Sequence, residues 1–541
     1  MSFVRFEKPY YRWLFGGMGF HNSEITMTPL IPERLMNERI LKTFHEIRPS
    51  FSRVFGGFHN WTKDAMDHFT AYYEKTFAKT DTVIYMVPGC VPFNETEHQM
   101  ERLVSKTCDK LEYLLKEKDL RLIRYFCVTN ELTEGTAYAS LSKDLEKFKK
   151  YHRMFWNEFK ERTLDLELVA TDGSGIDEFT EQTEWAVQNM DKYIACYCGH
   201  NYRICEKWED GDYAFDDPGF YNYLYKSFDR VVQLVRKKEK RFILGEFGIH
   251  GREIYFPPQN STIMKSDIPS GFYDKKREAE CALMACVEEL AAMNAGVLCT
   301  AFWTFCDYPN PFLSWNGYSD EAKARYEVGK FSGYTMEIRY NKHGMFRWDE
   351  DGNFSAKATL YSVGLMAKFF KSNSTVLQPS TDNEKLICGG VNNSDGSVSL
   401  CIINLSDTDE KISLSTGFKL DKPFRIYKYE CDCVPENEFG DLQPFALLDN
   451  DCDGAADIEA RPHSLTLLTT DYIDRKPAEV KNVRVSDMGI AWDAVDDEYH
   501  AYYRVFENGR QIASTAAEKL NLKTVKGADY QVKSIDRFGN I

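Results

Sequence analysis

The chain has 541 residues, 43% hydrophobic and 28% charged, which is the balance of a folded soluble protein long enough for about two to four domains. A net charge of −16 leaves no clustered basic face for a polyanion, so nucleic acid is excluded as a partner. No apolar run reaches the length of a membrane span and residues 1–10 hold no signal-peptide core, which points away from the membrane and towards the cytoplasm. Fifteen cysteines is an odd count, and Cys127, Cys286 and Cys299 sit inside apolar runs, so reduced thiols are expected instead of a disulfide framework.

From residue 12 to about 370 the chain alternates short apolar runs with longer amphipathic ones. The short runs are 13–20, 51–58, 83–90, 122–131, 166–173, 193–200, 241–248 and 297–305. They are continuously apolar, as parallel strands covered on both faces are. Segments of period near 3.6 lie between them, such as 34–47, 99–118 and 279–296, and 357–370 follows the last run. This repetition predicts an α/β fold, a (β/α)8 TIM barrel. A doubly wound open sheet would want a Gly-rich phosphate turn after the first strand, and GGMGFHN lacks that order.

The pattern then changes. Runs such as LICGGVN, VSLCIINLS, FRIYKYE and HSLTLLTT are short and separated by Asn, Asp, Ser and Gly, the signature of an antiparallel β-sandwich. After Lys476 come further turn-bounded strands, with a hairpin signal at Asn508-Gly509 and core-type rings at Trp492 and Tyr530. The expected domains are a barrel over 1–373, a sandwich over 374–473 and a small β domain over 474–541, the last resembling fibronectin type III.

Active sites of barrels lie at the C-terminal ends of the strands. Strand one closes on His21. Strand two carries Arg53 and ends near His59 and Trp61. Strand four ends Asn130-Glu131 and strand five ends at Asp172. Strand six ends His200-Asn201-Tyr202, strand seven holds Glu246 and strand eight Trp303. A carboxylate closing an apolar run is costly unless it is paired or needed. Two of them, Glu131 and Glu246, across one barrel mouth suggest the carboxyl pair of a glycosidase. His21, His59 and His200 serve equally well as sugar contacts or as structural histidines. Asp172 is a candidate sugar contact, although Asp-Gly-Ser-Gly is also an ordinary turn. Trp61, Tyr308 and Trp315 are candidate stacking platforms above the barrel. Cys196-Tyr-Cys198 and Cys431-Asp-Cys433 come nearest to metal-ligand spacing but have no matching second pair, so neither a metal nor an organic cofactor is expected.

Asn130-Glu131 resembles the Asn-Glu pair of the clan A retaining glycoside hydrolases, and Glu246 in ILGEFG resembles that clan's strand-seven nucleophile. The resemblance spans about residues 10–472, a barrel followed by a β-sandwich as in families 30, 39 and 51, with family 39 the nearest. It implies that Glu131 is the acid/base and Glu246 the nucleophile. It also implies that Arg53 lowers the Glu246 pKa, that Asn130 binds a sugar 2-hydroxyl, and that Tyr202 or His200 contacts Glu246 while Trp303 floors the sugar subsite. Leu132 stands where many members have Pro, which keeps Glu134 as a rival to Glu131. The expected activity is hydrolysis of small glycosides or oligosaccharides, β-xylosidase- or β-glucosidase-like and exo-acting. Transglycosylation on the same site and an inactive carbohydrate-binding barrel are the alternatives. Oligomeric state stays open, a homo-oligomer included.

Overall fold

The computed structural model describes residues 1–8, 14–22, 33–55, 58, 61–88, 96–132, 144–204, 217–250, 275–306, 344–348, 354–435, 438–442, 446–448 and 454–541. The chain enters through β1 (Ser2–Glu7) and β2 (Leu14–Phe15), and both pair outside the barrel. Eight parallel strands then close on themselves: β3 (Gly17–His21), β4 (Phe51–Phe55), β5 (Val83–Val87), β6 (Ile123–Cys127), β7 (Glu167–Ser174), β8 (Cys196–Ile204), β9 (Arg241–His250) and β10 (Cys299–Phe302). The expected barrel is therefore present. The first strand starts later than its apolar run suggested, because Leu14 and Phe15 pair with the sandwich.

Helices follow from local signals. Thr96 and Gln99 form a capping box at the start of Glu97–Glu112, and Thr62 and Asp144 cap Lys63–Lys75 and Leu145–Glu161. Close packing explains the glycines of the first strand: a Cβ on Gly19 would collide with the Phe51 carbonyl of β4. Inside the barrel Phe51, Tyr85, Cys127, Val169, Cys196, Cys198, Ile243, Cys299 and Ala301 form one apolar plug. Their every-second-residue spacing sets which strand positions face inward, and so which polar residues above them face the mouth.

After a short hairpin of β11 (Phe346–Trp348) and β12 (Phe354–Ala356), the chain builds the sandwich from β13 (Ser374–Thr381), β14 (Leu386–Asn392), β15 (Val398–Asn404), β16 (Glu410–Thr416), β17 (Phe424–Glu430), β18 (Ala446–Leu448), β19 (Ala455–Ala460) and β20 (Ser464–Thr469). β13 belongs to both sheets, pairing β14 through residues 375–377 and β1 through residues 378–381. Ser2–Glu7, counted with the barrel by sequence, is thus a central sandwich strand between β13 and β16. Val4 and Phe6 fill the sandwich interior beside Leu400, Ile412, Leu414 and Leu468.

The other face of β14, β15, β17 and β20 lies on the barrel. Ile387, Val391, Cys401, Ile403, Tyr427 and Leu467 join the same core as the helix Lys275–Ala295. Tyr429 donates to the Ala279 carbonyl at 2.7 Å, and Asn294 donates to that of Cys388 at 2.9 Å. Burial on both faces is why β15 is apolar throughout instead of alternating.

The C-terminal unit has two three-stranded antiparallel sheets. One is β21 (Arg484–Ser486), β22 (Gly489–Ala491) and β25 (Lys519–Asn521); the other is β24 (Arg510–Thr515), β23 (His500–Glu507) and β26 (Tyr530–Asp536). Trp492, Tyr503, Val505 and Leu520 lie between them. Asn508 and Gly509 have φ of 50° and 80° and link β23 to β24 as the Asn-Gly hairpin signal requires. This unit docks through a buried charge cluster. Lys42 of the first barrel helix meets Glu46 at 2.6 Å and Asp441 at 2.9 Å, and Asp441 also meets Arg504 of β23 at 2.9 Å.

The twelve described cysteines are free thiols and all but Cys433 are buried. No described helix is long and apolar enough to cross a membrane.

Glu289, fully buried near Thr300 of β10, generates a stability test. Burial pushes its pKa up to about 8 against the relief that Thr300 provides. A raised carboxyl pKa gives stability that is full below about pH 4.5 and is lost as pH rises through about 8. Glu289→Gln should match the native chain at pH 4.5 and exceed it at pH 8.5 by on the order of a few kcal/mol, read from urea melts at both values.

Candidate active site

Inward-facing positions above the apolar plug converge on Arg53, which is fully buried on β4. Its guanidinium donates to Glu246 Oε1, to Asn130 Oδ1 at 2.6 Å and to Asp172 Oδ2 at 2.5 Å. The fourth neighbour is His21 Nε2 at 3.0 Å. Burial alone would lower the Arg53 pKa, but Asp172 and Glu246 outweigh it and push the pKa well up. Burial and then Arg53 hold His21 well below the usual imidazole range, so its Nε2 accepts from the guanidinium. The His21 ring packs against Trp303 at a tilt of 40°, with centroids 4.1 Å apart.

Glu246 reaches this point through a bulge. Strand parity runs Arg241, Ile243, Gly245 on the inner face, which would leave Glu246 outside. Leu244 pairs with Gly199 but Glu246 pairs with His200, so β9 carries one extra residue there. A Cβ on Gly245 would sit 2.5 Å from Cys198 Sγ and 3.3 Å from His200 Nε2, so only glycine leaves room for the turn. β7 repeats the device: Thr171 pairs with Cys198, Gly173 with Gly199, and the extra residue is Asp172 at φ 56°.

Tyr202 donates to Glu246 Oε2 at 2.5 Å. His200 Nδ1 lies 3.4 Å from Glu131 Oε1 and 3.6 Å from Glu246 Oε2, while Nε2 lies 3.1 Å from Asp172 Oδ1. Burial would lower the His200 pKa, yet Glu246 and Asp172 raise it to about 10, so the ring is an imidazolium at neutral pH. For Glu246 the balance runs the other way. Burial raises its pKa, and the cations His200 and Arg53 only limit the rise. The lowering of Glu246 by Arg53, expected from the resemblance, is therefore outweighed by complete desolvation.

Glu131 stands at the mouth with its side chain 19% exposed and φ of 45°, against 6% side-chain exposure for Glu246. A non-glycine residue in that left-handed region is strained, and such residues concentrate at functional sites. One oxygen of each carboxylate and a His200 nitrogen lie within 4.8 Å of one another.

Of the residues singled out by sequence, Arg53, Asn130, Glu131, Asp172, His200, Tyr202, Glu246, His21 and Trp303 meet in one cluster. His21 and Asp172 are wholly buried and both meet Arg53. The turn reading of Asp172 fails, since the residue lies within β7. Trp61 packs on Phe58 and Phe69 and is 4% exposed, so it is core and not a stacking platform. His59, Glu134, Tyr308 and Trp315 lie outside the described residues. Tyr85 was not foreseen; its hydroxyl donates to Asp172 Oδ1 at 2.8 Å. Its inward parity two residues after Val83 was the available signal. Asp172, Cys198 and His200 are close enough to share a cation, as are Glu131, His200 and Glu246. A metal there would compete with Arg53 and an imidazolium for the same three carboxylates.

No protein-family model matches the chain, and neither does any curated protein sequence. Solved structures do. A family 51 alpha-L-arabinofuranosidase from Bifidobacterium longum aligns with TM-score 0.58 and 11% identity over 87% of this chain and 99% of its own. The catalytic domain of a family 30 xylanase C from Talaromyces cellulolyticus gives 0.56 and 12% over 86% and 99%. A bacterial orthologue of human α-L-iduronidase gives 0.57 and 12% over 100% and 98%. The chain shares the fold of these clan A glycoside hydrolases, a parallel eight-stranded barrel with a β-rich C-terminal region.

Arg53→Met leaves Asp172 and Glu246 buried around a neutral side chain. Breaking a buried ion cluster on one side costs about 3–5 kcal/mol. Urea unfolding followed by circular dichroism should show a loss of that size at pH 7, and a loss below 1 kcal/mol would contradict the cluster's assigned weight.

Proposed function

We propose that this chain is a retaining glycoside hydrolase in which Glu246 attacks the anomeric carbon and Glu131 serves as acid and then base. The observation that carries the reading is the separation of the two carboxylates, whose nearest oxygens lie within 4.8 Å at the C-terminal mouth of a closed barrel. Retaining enzymes need carboxyl groups about 5–5.5 Å apart, whereas inverting enzymes leave room for a water at about 6.5–9.5 Å. The fold shared with a xylanase, an arabinofuranosidase and an iduronidase supports it.

The surroundings suit the two roles. Arg53 and Tyr202 each hold one Glu246 oxygen, aiming the nucleophile and limiting its mobility. Glu131, nearer the solvent, can hand a proton to a departing oxygen and later take one from water. Because Arg53 occupies Asn130 Oδ1, the amide nitrogen is the end left to donate to a sugar hydroxyl. Trp303, partly exposed, offers a ring face for the sugar. The substrate class is small glycosides or oligosaccharides, with exo-acting β-xylosidase- and β-glucosidase-like specificities the first to test. Free thiols throughout the described chain support a reducing, cytoplasmic setting. The paired three-stranded sheets around Trp492 support a fibronectin type III-like reading of the last domain.

A panel of nitrophenyl xylosides, glucosides, galactosides, arabinofuranosides and fucosides identifies the sugar. Glu246→Ala should lose several powers of ten on every leaving group, on the order of 10⁴ or more. Glu131→Ala should keep a fast first step on dinitrophenyl glycosides and be rescued by azide as the azide of retained configuration. Rescue of Glu246→Ala should give the inverted azide. Native activity towards all members of the panel at background level would reject the hydrolase reading.

The pH profile supplies a second test. Since Glu246 must be ionised to attack and burial raises its pKa, the acid limb of kcat/KM should lie above the ordinary glutamate value. His200→Asn removes a cation that favours the Glu246 carboxylate, so its limb should move to higher pH by about one unit.

A further inference from the structure

Asp172 has no role in the chemistry just proposed, yet it is tied to three side chains of the site. It is wholly buried, with Cys198 of the plug beside it. Arg53 donates to Oδ2 at 2.5 Å, Tyr85 donates to Oδ1 at 2.8 Å, and His200 Nε2 lies 3.1 Å from Oδ1. The backbone is bent to put it there, with the β7 bulge and a φ of 56° turning the side chain onto the inner face. Burying a carboxylate costs several kcal/mol before pairing, so an anion that only tied strands together could be exchanged for apolar packing.

We infer that Asp172 is a positioning residue: without touching substrate, it holds the Arg53 fork and the His200 ring in the one arrangement in which both face Glu246.

This inference rests on the hydrolase reading and adds a reason for the geometry. When the glycosyl-enzyme forms, the bond from C1 to a Glu246 oxygen is made and the bond from C1 to the leaving oxygen breaks. Glu131 passes its proton to that oxygen. Negative charge therefore leaves Glu246 and appears on Glu131, and the second half-reaction returns it. His200 Nδ1 faces both carboxylates at almost equal distance, 3.4 and 3.6 Å, and serves whichever is charged. It can do so only while it stays protonated and does not rotate. Asp172 on Nε2 secures both, and its own charge stays constant through the cycle. The charged groups around the ring are Glu131 of the β6 end, Glu246 of β9, Asp172 of β7 and Arg53 of β4, with neutral His21 of β3 beyond. Arg53 gains as well. Its Glu246 partner loses charge in the covalent intermediate, and Asp172 keeps the guanidinium paired in place.

The test is Asp172→Asn, isosteric but uncharged, beside Tyr85→Phe, which keeps every charge and removes one orienting hydrogen bond. With the nitrophenyl glycoside that the native chain cleaves best, Asp172→Asn should lower kcat by about a hundredfold, the scale of a small misplacement of reacting groups. Its KM should stay within about twofold, because no sugar contact is lost; Tyr85→Phe should lower kcat severalfold in the same manner. Selectively ¹⁵N-histidine-labelled protein gives a readout that needs no substrate, the His200 signals being those missing from His200→Asn. In the native chain the ring should remain an imidazolium to pH 9, and in Asp172→Asn it should titrate below pH 8. Melting curves establish that each variant is folded; if Asp172→Asn is not, the Tyr85→Phe kinetics decide. An unchanged kcat in the folded variants, a raised KM at constant kcat, or an imidazolium surviving to pH 9 in Asp172→Asn would overturn the inference. A native chain inactive on every glycoside rejects the hydrolase reading, while the His200 titration still judges Asp172.

Discussion

A guanidinium sealed inside a barrel is tolerated only if its charge and donors are matched, and that requirement at Arg53 organises the whole mouth. Glu246 and Asp172 supply the charge, while Asn130 and His21 accept from the other N–H groups of the two terminal nitrogens. These partners come from β3, β7, β9 and the end of β6, so one side chain from β4 sets the height and facing of five strands. Arg53 also lies over the Tyr85 ring at 5.5 Å, with the apolar plug beneath. The site is thus a polar layer resting on a packed one, which excludes water from below and leaves the upper side for a ligand.

The two carboxylates at the mouth share this layer but not its environment. Glu246 is enclosed by Arg53, Tyr202 and His200 and its side chain is 6% exposed, whereas Glu131 meets His200 with its side chain 19% exposed. Two carboxyl groups held in unlike surroundings are the arrangement by which one fold runs attack and proton transfer side by side. His200 couples them: its imidazolium touches both, so a change of charge on one is felt by the other.

Support for the barrel comes from outside it. The sandwich sheet covers the helix that precedes β10, and that helix carries Glu288, whose Oε1 accepts from Asn201 at 2.5 Å. Asn201 lies between His200 and Tyr202 with the opposite parity, so the bond fixes β8 from behind while its neighbours face the site. On the other side, Lys42, Glu46, Asp441 and Arg504 join barrel, sandwich and C-terminal domain through a single buried network. Burial holds Lys368 beside it at a pKa of about 8, with Glu46 partly offsetting that drop. Barrel, sandwich and C-terminal unit are thus joined by buried contacts.

Period and residue type alone determined the eightfold alternation, the change to β structure after residue 373 and the Asn508-Gly509 hairpin, because those signals are local and physical at the scale of a few residues. The same reading collected Arg53, Asn130, Glu131, His200, Tyr202, Glu246 and Trp303, since apolar strands ending in polar groups mark a barrel's mouth. Three things were settled only by tertiary structure. Ser2–Glu7 joined the sandwich because pairing partners nearly 400 residues away carry no local signature. Glu246 and Asp172 turned inward through bulges that break the period-2 rule, and Asp172 thereby became an internal counter-ion instead of a turn. The sign of the Glu246 shift followed from how deeply it is buried, which depends on every neighbour at once. Local chemistry names the groups; the low-dielectric enclosure formed by distant strands decides what each one carries.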